Sequence, residues 1–203
     1  MCESNQLTSL DVSGCKTLTE LWCYGNRLTS LDMSGNKALT WLACADNQLI
    51  NLNISDNTTL TELFCSDNQL INLDVSNNTA LATLDCPNNR LTSLDMSNNA
   101  ALKDLNCNAN NLTASALNAM FETLPDNQTW KIIHIEDNPG SADCNRNIAE
   151  KKKWIVFKLP SETVNNQDVN SAPPPPPTLP PLPVRPPLLP SPNDNGTNNI
   201  VGL

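Results

Sequence analysis

Cysteine recurs every 21 residues, at Cys2, Cys23, Cys44, Cys65, Cys86 and Cys107, and this strict period constrains the fold more than any other property of the chain. Asn5, Asn26, Asn47, Asn68, Asn89 and Asn110 keep the same spacing, as do Leu7, Leu28, Leu49, Leu70, Leu91 and Leu112. A unit this short cannot bury its apolar side alone. Repetition at such a period therefore implies a solenoid whose coils stack into one continuous core.

Within a unit, Leu21 and Cys23 alternate with Glu20, Trp22 and Tyr24. Period-2 alternation places the first pair inward and the others on the opposite face of a short strand. Parallel stacking puts neighbouring coils ~4.8 Å apart, so seven strand segments, from a partial one at Cys2 to one near Ile133, span roughly 30 Å. The Asn column is structural, because an amide side chain satisfies backbone groups that would otherwise be orphaned where the chain leaves its strand.

Superimposed, the units read L-x-x-L-x-C-x-x-N-x-L-x-x-L-D-x-S, as in Leu18, Leu21, Cys23, Asn26, Leu28, Leu31, Asp32 and Ser34. This pattern resembles the leucine-rich repeat family, and most of all the short cysteine-bearing repeats of internalin-J-like and Bacteroidetes surface proteins. The resemblance implies a repeat solenoid: a right-handed superhelix with parallel β on the concave side, extended or 3-10 segments on the convex side and a helical C-terminal cap. It covers residues 1 to about 158 and speaks for fold far more than for function.

Past Asn110 the period breaks. Leu117, Met120, Phe121 and Leu124 stand at helical spacing and predict a short helix over 114–123. Trp130, Ile133, Ile135 and Asn138 then restore the frame for one more coil. Asn138-Pro139-Gly140 reads as a turn, residues 142–152 as a second helix, and Trp154 to Lys158 as a closing strand. Lys151, Lys152 and Lys153 sit at the negative end of that second helix and are expected to be solvated. The segment 118–158 resembles the C-terminal caps of Bacteroidetes leucine-rich repeat proteins. The expected organisation is repeats over 1–112, an irregular last repeat and cap over 113–160, and a disordered tail over 161–203.

The tail holds 12 of the 16 prolines between residues 173 and 192, which predicts a polyproline II spacer. Within it Leu179, Pro180, Leu182, Pro183 and Arg185 resemble an SH3-domain ligand, in which two apolar-Pro pairs fill aromatic slots and the Arg meets an acidic one.

Eight cysteines would ordinarily raise disulfides. Six of them point inward in parallel from adjacent strands, an arrangement ill suited to the ~90° disulfide dihedral, so unpaired buried thiols are expected. Cys15 and Cys144 fall outside this ladder. His134 is the sole histidine and there is no C-x-x-C, which argues against zinc and against Ser-His-Asp or Cys-His catalysis; no metal site, cofactor or enzymatic activity is expected. A formal charge of −9 and a pI near 4.4 argue against nucleic acid and anionic membrane as partners. No apolar run reaches the length of a membrane span. The chain opens inside a repeat with no capping unit or signal peptide before Cys2, so it reads as an N-terminal truncation.

What remains is a surface. Three outward columns descend the concave side: Glu20, Trp41, Glu62, Thr83, Asp104, Ile132; Trp22, Ala43, Phe64, Asp85, Asn106, His134; Tyr24, Ala45, Ser66, Pro87, Asn108, Glu136. All four aromatics of the repeats lie in them. Ala43 between Trp22 and Phe64 predicts a shallow apolar depression flanked by Trp41 and Tyr24, with Glu20, Glu62 and Asp67 at its rim. The expected function is protein or glycan binding through this face, by a secreted or cell-surface bacterial protein; the alternative is an intracellular adaptor whose tail recruits SH3-type domains. As exposed side chains, Trp22 and Trp41 are expected to contribute less than about 1 kcal/mol to stability.

Overall fold

The computed structural model describes residues 2–157, and the SH3-like motif from Leu179 to Arg185 lies outside them. Each coil contributes one short strand: β1 (Glu20–Trp22), β2 (Trp41–Ala43), β3 (Glu62–Phe64), β4 (Thr83–Asp85) and β5 (Asp104–Asn106), followed by α1 (Ala114–Thr123), β6 (Lys131–His134), α2 (Asn147–Lys151) and β7 (Trp154–Phe157). The seven strands form one sheet in sequence order, each pairing in parallel with the next. Register follows the sequence period, with Leu21 beside Leu42, Leu42 beside Leu63 and Leu63 beside Leu84. The chain is therefore a repeat solenoid with its strands on one side and two successive turns per coil on the other.

The first coil departs from expectation. Its Cys2, Ser4 and Asn5 amides donate to Trp22 O (3.0 Å), Tyr24 O (2.8 Å) and Gly25 O (3.0 Å), but no strand forms there. The sheet instead begins at β1 and reaches seven strands by adding β7 at the far end.

Side chains at the repeat positions fill the interior. Leu28, Leu39, Leu42, Leu49, Leu60 and Leu63 have no exposed surface, and neither have Cys23, Cys44, Cys65, Cys86 and Cys107. Burying one such leucine is worth ~1.5–3 kcal/mol, and the period ensures that every coil supplies several. None of the six ladder cysteines forms a disulfide, as expected of inward parallel thiols.

Two asparagine ladders tie the coils together. On the strand side, Asn47 Oδ1 accepts from Leu28 N (3.0 Å), while its Nδ2 donates to Cys23 O (3.0 Å), Cys44 O (3.2 Å) and Ala45 O (3.0 Å). Asn26, Asn68, Asn89, Asn110 and Asn138 repeat that pattern. The second ladder went unread in the sequence. Asn36, Asn57, Asn78 and Asn99 are fully buried beneath the convex turns, and Asn57 Nδ2, for example, donates to Met33 O (3.1 Å) and Asn36 O (2.8 Å) of the preceding coil. Cys15 holds the corresponding place in the first coil, where its carbonyl accepts from Asn36 Nδ2 (2.9 Å). It thus belongs to a ladder after all, though a different one from the buried thiols.

Helix α1 starts at Thr113, whose Oγ1 accepts from Ala116 N, and buries Leu117, Met120 and Phe121 against the last regular coil. Gly140 packs on its first turn so tightly that a Cβ there would lie 2.0 Å from Ala114 N and 2.2 Å from Thr113 C. The second helix is shorter than expected, because residues 141–144 form turns and only Asn147–Lys151 are helical. Nor is Lys152 merely solvated. Its Nζ donates to the Glu122 and Leu124 carbonyls, which caps the C-terminal end of α1, and Lys153 Nζ donates to Gln128 O (2.9 Å). Trp154, fully buried in β7, donates from Nε1 to Pro125 O (3.0 Å). Among the described residues no helix is long and apolar enough to cross a membrane.

Candidate functional site

Strand geometry dictates what the concave face shows. In each three-residue strand the middle leucine is buried, and the first and third residues point outward. Register aligns Glu20 with Trp41 and Glu62 in one column, and Trp22 with Ala43 and Phe64 in the next.

The expected depression at Ala43 is absent. Trp41 leans across from its own column and stacks on Trp22 (centroids 5.4 Å apart, planes 15°) and on Phe64 (4.9 Å, 30°). These spacings match two inter-strand steps of ~4.8 Å, so the indole sits midway between rings two coils apart. Ala43 is left only 2% exposed. The outcome is a ridge of three stacked rings, lengthened by Tyr24, which meets Trp22 edge-on at 6.5 Å and 66°. Small Ala43 is the sequence signal for it: a missing side chain two positions along the same strand makes room for a large one to fold over. All four rings are partly buried, where the sequence alone implies that the tryptophans are exposed side chains. Stacked pairs add ~0.5–1.5 kcal/mol beyond their buried area, and Trp41 makes two. Its Nε1 is buried without an acceptor, so the ring is held by stacking and not by a polar anchor.

Carboxylates flank the ridge. Glu20 is exposed and accepts from Trp22 Nε1 at 3.4 Å. Glu62 is partly buried, and burial, reinforced by the Asp104 charge, raises its pKa. Burial likewise raises that of Asp85, against the bond it accepts from Asn106 Nδ2 (2.8 Å). Asp67 is placed differently from the others. It lies in the turn after β3, accepts from Asn88 Nδ2 (3.0 Å) and has φ of 53°. Each coil turns through this left-handed conformation, at Ser4, Gly25, Asp46, Asp67, Asn88, Ala109 and Asp137, and Gly, Asn and Asp adopt it with the least strain. Beyond the acidic stretch His134 stacks on Phe157 (5.0 Å, 15°), and its Nδ1 lies 3.2 Å from Glu136 Oε1.

The structure thus brings Trp22, Tyr24, Trp41 and Phe64 into one cluster beside Glu20 and Glu62, and leaves Asp67 on the turn. No group of three or more His, Cys, Asp or Glu side chains able to hold a metal occurs among the described residues.

Comparison with solved structures places the fold. The functional domain of InlJ from Listeria monocytogenes, which includes a cysteine ladder, is similar at 38% identity over 74% of this chain and 36% of that one, with a TM-score of 0.60. An internalin (inlF) from the same organism is similar at 20% identity over 64% of this chain and 39% of its own, with a TM-score of 0.54. The leucine-rich repeat domain of APL1B matches at 20% identity over 77% of this chain and 43% of its own, with a TM-score of 0.57, and shares the fold alone. The chain therefore spans less than half the length of each of these three structures. No protein-family model and no curated protein matches it.

Proposed function

Since the chain is a leucine-rich repeat protein with the internalin-like fold, we propose that it is a non-catalytic interaction protein of a bacterial surface or secretion, binding a protein or glycan through the concave face. The single observation that carries this reading is the ridge of Trp22, Trp41 and Phe64, which keeps three partly exposed rings on the face that the strands define. Clustered aromatics beside charged groups are the usual composition of binding hot spots, whereas scattered surface hydrophobics carry no such meaning. The fold is one that generally carries binding and not catalysis. The surface or secreted placement rests on likeness to internalins.

Arrays of proteins and glycans, probed in parallel with wild type and variants, test the proposal. Ligands found with wild type should lose ~2 kcal/mol or more of affinity with Trp41→Ala. They should be indifferent to Lys37→Glu, at an exposed position among the convex turns. Ligands that ignore the ridge and respond to Lys37→Glu would refute the concave assignment. Trp41→Phe keeps a ring in the stack and controls for folding.

A further inference from the structure

Ring orientation at the ridge separates the two classes of ligand. A pyranose is held by laying its C–H face flat on the π face of an aromatic ring, so sugar binding needs ring faces open to solvent. Here four of the six faces are spent on one another. Trp41 is stacked on both sides, and Trp22 and Phe64 each give it one of theirs. What the stack turns outward is a row of ring edges, which carry the positive end of the ring quadrupole. Edges of that kind are complementary to the face of an incoming aromatic ring, in the T-shaped geometry that Tyr24 already adopts with Trp22.

Charge narrows the class further. The three concave columns contain Glu20, Glu62, Asp85, Asp104 and Glu136 but no Lys or Arg, and His134 already has Glu136 beside it. Glu62 and Asp85 are partly desolvated carboxylates, which a cation arriving from outside would relieve.

Building on the concave-face reading, we propose that the ligand is an extended protein segment, not a saccharide, which seats an aromatic side chain on the edges of Trp22, Trp41 and Phe64 and basic side chains on Glu62 and Asp104. Spacing sets the motif. Asp104 lies three coils from Trp41, ~14 Å at the inter-strand distance, and same-face residues of an extended segment repeat every ~6.6 Å. The aromatic residue at i is then followed by Lys or Arg at i+2, near Glu62, and at i+4, near Asp104.

A random peptide library displayed on phage, panned against the full chain, tests this alongside a glycan array. Enriched peptides should carry Trp, Tyr or Phe followed by Lys or Arg at the i+2 and i+4 positions. A synthetic peptide of the enriched sequence should bind about tenfold or more weakly to Trp41→Ala and to the double variant Glu62→Gln/Asp104→Asn. It should also weaken as salt rises. The double variant keeps the ridge whole, so the charge half of the test stands even if Trp41→Ala fails to fold. A glycan bound in a Trp41-dependent manner, or enriched peptides lacking the aromatic-basic pattern, would overturn this inference and leave the concave-face reading intact. Absence of any Trp41-dependent ligand, peptide or glycan, would overturn both.

Discussion

Replacing Asn68 by alanine probes the feature that holds the coils in register. Asn68 Oδ1 accepts from Leu49 N (2.9 Å), and Nδ2 donates to Cys44 O (3.0 Å), Cys65 O (3.3 Å) and Ser66 O (3.0 Å). An Ala side chain reaches none of these groups. Ser66 O keeps its bond from Asp46 N (3.0 Å), and Cys44 O and Cys65 O keep those from Asn47 Nδ2 (3.2 Å) and Asn89 Nδ2 (3.0 Å), but the wholly buried Leu49 N is left without an acceptor. One stranded buried donor costs ~1–3 kcal/mol, and that is the loss expected here. The damage should also spread in a characteristic way. Stability in a solenoid is a sum over coils and the interfaces between them, and a weak central interface uncouples the two halves. Urea denaturation of the full chain, followed by far-UV circular dichroism and by tryptophan fluorescence, reads both effects: the midpoint should fall and the two curves should cease to coincide. Asn77→Ala is the control, because Asn77 is exposed and makes one bond, to Ser55 O (3.2 Å). A loss below about 1 kcal/mol for Asn68→Ala, or one no larger than the control, would refute the reasoning.

Two other outcomes follow from the packing. Gly140→Ala should lower stability by about 3 kcal/mol in a thermal melt, because its Cβ would strike the α1 backbone and not a yielding side chain; a change within about 0.5 kcal/mol would mean that the cap does not seat as described. In the folded protein a maleimide should modify exposed Cys15 readily and Cys23, Cys44, Cys65, Cys86 and Cys107 only on unfolding. Burial pushes Cys23 and Cys107 up to about 12 and the three between them well upward, so raising the pH from neutral to mildly alkaline should not speed labelling of the ladder. Fast labelling of an inner thiol in native buffer would contradict the stacked arrangement.

Periodicity made the solenoid legible because a repeated residue can have only a repeated environment. Leu21, Cys23 and Asn26 could be placed inside from spacing alone, and α1 from its own period. The second ladder at Asn36, Asn57, Asn78 and Asn99 carried the same signal but was hidden in a stretch rich in Asp, Ser and Asn, which reads as ordinary turn. The ridge was half legible. Columns located its residues, but columns assume that each side chain stays above its own Cα, and a tryptophan next to an alanine does not. Lys152 escaped for a related reason: a lysine at a helix end looks solvated until a second helix, distant in sequence, brings carbonyls within its reach.

The thiol ladder has a consequence for how such chains are classified. Cysteine content is normally an address label, since oxidising compartments favour disulfides and reducing ones discourage them. Five sulfurs here are shut away from solvent, held as thiols and spaced by the strands in a geometry that resists pairing. They are space-filling atoms whose chemistry has been switched off by burial. The same fold can therefore be assembled and kept in either redox environment, and its abundance of cysteine does not report where the protein works.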